Sequence, residues 1–331
     1  MSDYRNWDQL GHATDWLLIE DNVGEYMSID ETAPSCGDLY TFLSNKAGHG
    51  RRGTVAAAVL GTRSEDLAAV FSRIPEERRD KVREVTMDFS ESMYSAVRQC
   101  FPRAEIVVDC FHVIQLATSA LSEIRMAHKR EAMLEQARAR KRWRSQQKAK
   151  AKRAKEADRK RKEQGKGKSS RGRKPDRKNK AYTPPKLENG DTVVELLTRS
   201  RYFIGQSRDK WTESQRKRAK ILFELYPDMM EAYNLVNALR NIFKNKQLDK
   251  ATAAERLNLW YQAVKSAGFE QLIAVAETIE SREDHVTNYF NNRHTNAAAE
   301  SLNAKIKAFR SMLHGVSDRP FFMYRIATIF G

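Results

Sequence analysis

The stretch VREVTMDFSESMYSAVRQCFPRAEIVVD, residues 82–109, has the pattern of a strand, a helix and a second strand. Its two short apolar runs each end in an aspartate, Asp88 and Asp109. Between them, Ser90 can cap a helix with apolar residues at helical spacing, and Pro102 ends it. A helical crossover makes the flanking strands parallel, so both aspartates fall at strand carboxyl ends, where open α/β sheets place their sites.

Three further strands are predicted before this unit. The runs YMSIDE, DLYTFLS and TVAAAVLG, at residues 26–31, 38–44 and 54–61, are separated by turns rich in Gly and Pro, which predicts an antiparallel meander. Asp30 lies at the end of the first run. We therefore expect an α/β fold with a mixed five-stranded sheet flanked by helices. If the first strand lies beside the fourth, Asp30 and Asp88 meet at one edge.

The chain after Asp109 is predicted to be helical almost throughout. One long helix becomes progressively basic, and residues 148–180 are low-complexity sequence that we expect to be disordered or a frayed helix until it meets a polyanion. Helical segments with short polar breaks fill residues 191–290, as in a helical bundle. The predicted parts are a short N-terminal segment (1–24), the first part of the α/β core (25–125), a basic helix with the Lys/Arg-rich segment (126–190), an all-helical insertion (191–292) and the last part of the core (293–331).

The positive charge of the chain is concentrated in one block. The net charge is +16, and residues 129–180 alone contain 24 Lys and Arg against 6 Asp and Glu, so the remainder is close to neutral. A block this dense favours a polyanionic partner, because each neutralised phosphate releases condensed counterions. A membrane surface is the weaker alternative, since the block has one Trp and almost no apolar face. Nucleic acid is the expected partner.

Cysteine use and apolar runs indicate the cellular compartment. Cys36, Cys100 and Cys110 are few, odd in number and not arranged in C-x-x-C pairs, which favours a reducing compartment and argues against a zinc ribbon or disulfide framework. The beginning MSDYRNWDQLGHATDW lacks a signal peptide, and no apolar run reaches the length of a membrane span. These features predict a cytoplasmic protein without membrane contact.

A second carboxylate-bearing stretch lies near the C-terminus. The run RHTNAAAESLNAKIKAFR, residues 293–310, places Glu300 in a basic, amide-rich helix. Glu300 shares one helix face with Asn303 and Lys307, and Arg310 continues that face. Taken alone, this pattern is typical of an amphipathic surface helix. With aspartates at upstream strand ends, Glu300 becomes a candidate third carboxylate of one site.

Several of these motifs together resemble a known family. The meander with Asp30, the strand ending in Asp88, the run VVDCFHV with Asp109 and His112, and the helix TNAAAESLNAKIKAFR resemble the transposases of the ISL-three family of bacterial insertion sequences. The resemblance runs from about residue 24 to the C-terminus. Its most specific pieces are the D-x-F-H strand end and the T-N-x-x-x-E-x-x-N-x-K-I-K helix. It implies an RNase H-like catalytic domain of the DDE class, interrupted by an all-helical insertion.

The resemblance implies a reaction and the residues that perform it. Asp30, Asp88 and Glu300 correspond to the three acids, which would hold two Mg²⁺ or Mn²⁺ ions. The implied activity is metal-dependent cleavage of insertion-sequence ends and strand transfer to target DNA by in-line phosphoryl transfer. Asp109 and His112 correspond to an auxiliary D-x-x-H signature, and Asp109 is the alternative second acid if the last two strands are wrongly assigned.

The resemblance also implies partners. These are the terminal inverted repeats of the element, target DNA, and further copies of the chain in a homodimer or higher oligomer, in a bacterial, nucleoid-associated setting. Full-length members of the family usually begin with a cysteine-rich zinc-binding segment and a helix-turn-helix, whereas fewer than 30 residues precede the first acid here. We therefore expect either a separate DNA-reading polypeptide or a truncated chain. The alternatives are an inactive transposase-derived DNA-binding protein and an RNase H-like structure-selective nuclease. The candidate DNA-binding residues are Asn296, Asn303, Lys305, Lys307 and Arg310 near the C-terminus, and Arg142, Arg144, Lys152, Arg153, Arg173 and Lys174 in the basic block.

Overall fold

The structure is a computed structural model that describes residues 2–33, 38–165, 181–313, 316 and 318–331. Within these residues, six strands form one mixed sheet. The strands are β1 (Trp16–Leu18), β2 (Tyr26–Thr32), β3 (Tyr40–Asn45), β4 (Val55–Leu60), β5 (Glu84–Met87) and β6 (Glu105–Val108).

The sheet combines an antiparallel half with a parallel half. Its strand order is β1-β4-β3-β2-β5-β6. Each of the first four strands in this order pairs antiparallel with its neighbour. β2 pairs parallel with β5, and β5 pairs parallel with β6. This confirms the predicted α/β class and puts the first predicted strand beside the fourth. The described sheet has six strands where five were predicted. The additional strand, β1, has only three residues, too few for a period-two pattern to reveal it.

Helices connect and cover the strands. Those predicted between residues 191 and 290 are present. None of the helices in the described ranges is both long enough and apolar enough to cross a membrane. The α-helices are α1 (Ser2–Arg5), α2 (Ser64–Phe71), α3 (Glu76–Arg79), α4 (Glu91–Cys100), α5 (Cys110–Glu163), α6 (Val193–Arg199), α7 (Glu213–Leu225), α8 (Pro227–Lys244), α9 (Lys250–Ala267), α10 (Glu270–Glu280), α11 (Glu283–Thr287), α12 (Tyr289–Asn292), α13 (Ala297–Met312) and α14 (Arg319–Phe330).

Contacts divide the chain into two compact units. Unit 1 consists of Met1–Ala117 with Ala238–Gly331, and unit 2 is Thr118–Asn237. Unit 1 holds the whole sheet, the beginning of α5 and the helices from α9 to α14. Unit 2 holds most of α5, all of α6 and α7, and the first part of α8. The predicted five-part division of the chain remains a prediction.

One face of the sheet packs against α2 and α4. Successive strand residues point to opposite faces, so burying Met27 and Ile29 on this side sends Ser28 and Asp30 to the other. The same alternation in β5 sends Thr86 to the face opposite α2 and α4. The buried cluster contains Met27, Ile29, Leu43, Val85 and Met87 from the strands, Leu67 and Phe71 from α2, and Met93 and Val97 from α4.

The other face of the sheet carries α13 and α14. The final helix packs onto the sheet, and its Phe322 ring stacks on Phe309 of α13 with ring centroids 5.5 Å apart. Apolar residues of α13 complete this second core and anchor the helix that carries Glu300. The buried cluster contains Leu302 and Ile306 from α13, Phe322, Met323, Ile326 and Phe330 from α14, and Tyr40, Phe42, Val55 and Ala58 from the sheet.

The basic helix extends into the stretch for which the sequence predicts either disorder or a frayed helix. Composition places the start of disorder or fraying at residue 148, but α5 continues to Glu163. Its span contains no Gly or Pro, and it is rich in Ala, Lys, Arg and Glu, which are strong helix formers. Two ion pairs between residues one helical turn apart also stabilise the last turns of α5. They join Lys160 with Glu156 at 3.9 Å and Arg159 with Glu163 at 3.5 Å. Residues 166–180 lie outside the described part of the chain.

Candidate active site

Asp30 and Asp88 lie at the same level on neighbouring parallel strands. In the β2–β5 ladder, Ser28 is opposite Thr86. Asp30 and Asp88 each follow two residues later, so both side chains belong to the face that α2 and α4 do not cover. The predicted meeting of these two strand ends is therefore present in the fold.

Asp109 continues this row onto the next strand. The β5–β6 ladder runs to the pair Met87 and Val108, directly before Asp88 and Asp109. The Asp109 amide then donates to the Met87 carbonyl over 2.9 Å, which extends the ladder by one more bond. The carboxylates of Asp30, Asp88 and Asp109 thus form a row, the acid row, along one edge of the parallel half of the sheet.

His112 lies between two of these carboxylates. It is on the first turn of α5, and its Nδ1 atom is 2.8 Å from Asp88 Oδ1 and 3.3 Å from Asp109 Oδ2. The Asp109 contact has hydrogen-bond geometry, whereas the Asp88 contact is an ion pair. The contact with Asp109 has the larger effect and that with Asp88 the next, and together they raise the pKa of His112 to about 10. The imidazole is therefore cationic at neutral pH and offsets part of the negative charge.

Asp30 is held in a defined orientation by two donors. The Glu31 amide donates to Asp30 Oδ1 over 2.8 Å, and Asn303 Nδ2 donates to Asp30 Oδ2 over 2.7 Å. Burial raises the pKa of Asp30 to about 6, and the negative charge of Asp88 adds to the rise. Both effects disfavour the ionised carboxylate in the absence of a cation.

Helix α13 brings Glu300 to this row. The Asn303 bond to Asp30 fixes the helix one turn after Glu300, and Leu302 and Ile306 anchor its apolar side on the sheet. Glu300 is exposed, and its negative charge contributes to the raised pKa of Asp30 after the larger effects of burial and Asp88. Asp30, Asp88, Asp109, His112 and Glu300 all belong to unit 1, and of these Asp88, Asp109 and His112 are in direct contact through the imidazole.

The donor set fits a hard divalent cation. The ligand atoms of Asp88, Asp109 and His112 lie within 4.8 Å of one another. The imidazolium of His112 has no free nitrogen lone pair, so the carboxylates are the groups that can bind a cation. Asn303 Oδ1 is buried and receives no hydrogen bond from the described residues, whereas Asp88 Oδ1 is paired with the His112 imidazolium at 2.8 Å. The Asn303 oxygen has lone pairs that a cation can use, and sets of several carboxylates suit Mg²⁺ and Mn²⁺.

A buried glutamate beside this site was missed by sequence analysis. Glu84, on β5, has 1% of its surface exposed. It accepts a hydrogen bond from Lys46 Nζ over 2.8 Å, and His294 Nδ1 lies 2.9 Å from its carboxylate. The signal in the sequence was the alternation of Glu84, Thr86 and Asp88 with apolar residues, which puts all three on one face of the strand.

The candidate DNA-binding residues of α13 differ in their surroundings. Lys305 Nζ donates to the carbonyl of Gly50 over 2.7 Å. Lys307 is exposed, and Arg310 is half-buried and has an interaction partner. Asn296 is fully buried at the start of the helix, and its side-chain amide finds no hydrogen-bond partner among the described residues. DNA contacts of these side chains remain predictions.

The other candidate DNA-binding residues belong to the basic block. Arg142, Arg144, Lys152 and Arg153 are exposed on α5, within unit 2. Arg173 and Lys174 lie outside the described residues. An exposed helix with cations along its length can follow a phosphate backbone without reading its bases.

Comparison with known proteins identifies the family. The family model described as Transposase, that of the ISL3 (ISL-three) group of DDE transposases, matches residues 27–326. The match spans β2 to β6, the acid row and α13. It confirms the resemblance and the RNase H-like fold class that the motifs predict. No curated protein and no solved structure shows significant similarity. The chain therefore belongs to the ISL-three family of transposases.

Proposed function

We propose that this chain is a DNA transposase that depends on divalent metal ions to cut the ends of its insertion sequence and join them to target DNA. In this proposal, Asp30, Asp88 and Glu300 hold the ions. The observation that carries it is the 2.7 Å bond from Asn303 to Asp30, because it ties the helix of Glu300 to the strand end shared by Asp30 and Asp88. Membership of the transposase family supports the reaction class.

The three carboxylates provide binding groups for this chemistry. Divalent ions held by carboxylates activate the attacking oxygen and stabilise the leaving oxygen of an in-line displacement at phosphorus. In this proposal, Asp30, Asp88 and Glu300 bind the divalent ions as ionised carboxylates. Their mutual repulsion contributes to the raised pKa of Asp30. This repulsion is relieved by a cation and therefore favours cation binding.

The proposed reaction has two steps at phosphorus. In the first step, the oxygen of water bonds to phosphorus at the element end and the 3′ oxygen leaves as a hydroxyl. In the second step, that 3′ oxygen bonds to a phosphorus of the target, and the 3′ oxygen of the target leaves. Each step exchanges one phosphorus–oxygen bond for another, so no oxidant, reductant or nucleotide is consumed.

We assign Asp109 and His112 an auxiliary role. The Asp109 side chain is 1% exposed, whereas 29% of the Asp88 side chain is exposed and accessible to DNA and ions. Asp109 instead accepts hydrogen bonds from His112 and from the Phe111 amide. It therefore holds His112 beside Asp88, where the imidazolium offsets negative charge. This difference in exposure favours Asp88 over Asp109 as the second acid.

DNA is proposed to contact cations outside the acid row. Lys307, on the face of α13 that carries Glu300, is exposed and suited to a phosphate next to the site. The exposed arginines and lysines of α5 supply a sequence-independent contribution to affinity. We further propose at least a homodimer in the cytoplasm, because two element ends must be brought together before joining.

The test is a cleavage and joining assay with purified full-length chain. The substrates are a labelled duplex that carries the terminal repeats of the element and a supercoiled plasmid target, with Mg²⁺ or Mn²⁺. The assay is run with and without a candidate helix-turn-helix partner. We expect D30N, D88N and E300Q to bind DNA but to lose metal-dependent cleavage. The matched control is E65Q, an exposed residue of α2, on the opposite side of the sheet, which should cut normally.

Each outcome of the assay has a distinct meaning. Cutting followed by joining supports the proposal. Cutting without joining would identify a structure-selective nuclease, and binding without cutting would identify an inactive DNA-binding relative. Full cleavage by E300Q would refute the assignment of the third acid.

A further inference from the structure

Glu84 is a buried carboxylate that the proposed metal-binding set does not use. Only 1% of its surface is exposed, yet Lys46 Nζ donates to Oε1 over 2.8 Å and Asn292 Nδ2 donates to Oε2 over 3.2 Å. His294 Nδ1 lies 2.9 Å from Oε2. A charged carboxylate is costly to bury without such partners. The ionised form of Glu84 therefore depends on all three neighbours.

These neighbours come from separate parts of the chain. Lys46 begins the turn that follows β3, whereas Asn292 and His294 are 208 and 210 residues away from Glu84 in sequence. Asn292 ends α12, and α13 begins three residues after His294. Glu84 thus fixes the chain directly before the helix that carries Glu300.

Neighbouring contacts hold the same segment on the sheet. Asn288 Nδ2 donates to the Ile106 carbonyl over 2.8 Å, and Asn291 Nδ2 donates to Glu105 Oε1 over 2.9 Å. Arg293 then takes a left-handed backbone conformation, with φ of 55°, which turns the chain towards α13. An array of amides and one imidazole therefore docks residues 288–294 onto β5 and β6.

Glu84 is too far from the acid row to share its ligands. It is four residues from Asp88, which corresponds to about 13 Å along a strand. Thr86 lies between them on the same face and contacts Lys46. Any effect of Glu84 on metal binding must therefore act through the position of other residues.

We propose that Glu84 is a positioning residue of the metal site. Its buried contacts with Lys46, Asn292 and His294 lock the start of α13, so that Glu300 meets the carboxylates of β2 and β5. The inference rests on the proposed function for the role of Glu300. It nevertheless predicts a change in metal affinity that can be measured without DNA.

The experiment compares Mn²⁺ binding by the full-length chain and its variants in isothermal titration calorimetry. E84Q removes the charge, and H294F removes the imidazole donor but keeps a ring against Tyr26, whose centroid is 4.8 Å from that of His294. We expect both to raise the Kd for Mn²⁺ on the order of 10- to 100-fold, as changes around metal ligands do. The matched control is D80N, which breaks a more exposed ion pair with Arg103 and should leave the Kd unchanged.

Two further measurements separate positioning from general destabilisation. Amide hydrogen exchange in residues 297–303 should become faster in E84Q and H294F. In the cleavage assay, half-maximal rate should need more Mn²⁺, while excess Mn²⁺ should largely restore the maximal rate. If E84Q does not fold, H294F decides alone, because it keeps the Lys46–Glu84 pair.

The contrary outcomes are equally specific. Wild-type Kd values for Mn²⁺ in both variants would overturn the inference, as would a reduced maximal rate at an unchanged Mn²⁺ requirement. A wild-type chain that binds Mn²⁺ but cuts no DNA would refute the proposed function alone, and the Kd comparison would still decide the role of Glu84.

Discussion

Asn303 on α13 donates a hydrogen bond from Nδ2 to Oδ2 of Asp30 on β2 over 2.7 Å, across 273 positions of sequence. The same nitrogen lies 3.3 Å from the Glu31 carbonyl and completes a clamp on the end of the strand. Because Asn303 is one turn after Glu300, the bond that orients Asp30 also sets the rotation of the helix that carries Glu300. Two of the proposed metal ligands therefore depend on one amide.

Replacement of Asn303 should impair catalysis more than it impairs folding. We expect N303A to reduce the single-turnover rate of Mg²⁺-dependent cleavage on the order of 10- to 100-fold, because Asp30 loses its side-chain donor. The control is S301A, which changes an exposed residue of the same helix. Wild-type cleavage by N303A would show that the clamp on Asp30 is not needed.

The buried Glu84 should make stability depend on pH in the acid range. Burial alone would raise the pKa of Glu84, but hydrogen bonding and charge from Lys46, with smaller contributions from Asn292 and His294, outweigh it and hold the pKa below its ordinary value of 4.5. A carboxylate with a lowered folded-state pKa stabilises the fold fully above its unfolded-state pKa. This contribution is lost as the pH falls through the folded-state value.

Thermal unfolding at a series of pH values tests this expectation. Without metal, the Tm of the wild-type chain should fall more steeply than that of E84Q between about pH 5 and about pH 3. E84Q should be the less stable protein at pH 7, because Lys46 then lacks its partner. Parallel pH profiles for the two proteins would contradict the lowered pKa of Glu84.

Asp191 should be an important stabilising charge within unit 2. Its side chain is 3% exposed, Arg218 Nε lies 2.8 Å from its carboxylate, and Arg199 forms a second ion pair with it. We expect D191N to lower the free energy of unfolding by about 3 kcal/mol, since it leaves two arginines without their counter-charge. In urea titrations, the control D80N should cost at most about 1 kcal/mol, as exposed ion pairs do. Equal losses of unfolding free energy in D191N and D80N would contradict the larger contribution of Asp191.

The exposed cations of α5 should determine how DNA affinity responds to salt. We expect R142Q/R144Q to reduce the slope of log Kd against log salt by up to roughly 1.8, which is about 0.9 for each lost phosphate contact. The preference for the terminal repeat over random DNA should change little. The control K217Q/K220Q removes two exposed cations that pair with Glu213 and Glu224 on α7. An unchanged slope in anisotropy titrations of R142Q/R144Q would show that this part of α5 does not bind phosphates.

The sequence was sufficient to predict the parallel half of the sheet and the acid row. Short apolar runs ending in Asp88 and Asp109, separated by a capped helix, leave few alternative topologies. The family match confirms the resemblance that the motifs suggested. β1 escaped prediction because three residues carry no usable periodicity. For residues 148–163 the composition leaves both disorder and a frayed helix open, and the structure has the helix, as the propensities of Ala, Lys, Arg and Glu favour.

The immediate contacts of single side chains were harder to predict. Helical spacing puts Asn303 on the same helix face as Glu300, and for this reason the sequence predicts that Asn303 contacts DNA. The spacing cannot reveal that this face of the helix meets Asp30. Glu84 resembles a solvent-facing strand residue in the sequence, because its donors Asn292 and His294 lie more than 200 positions away. Such long-range hydrogen bonds depend on the assembled fold and leave no local pattern.

Anomalous diffraction from crystals soaked in Mn²⁺ tests the central claim most directly, namely that Asp30, Asp88 and Glu300 form one metal site. We predict at least one strong anomalous peak within about 2.2 Å of carboxylate oxygens from Asp30 and Asp88, with Glu300 completing the site, since Mg²⁺-type ions bind oxygen at close to this distance. The peak should disappear in D30N crystals. A peak bound only by Asp109 and His112, or Mn²⁺ bound only at sites remote from Asp30, would contradict the account.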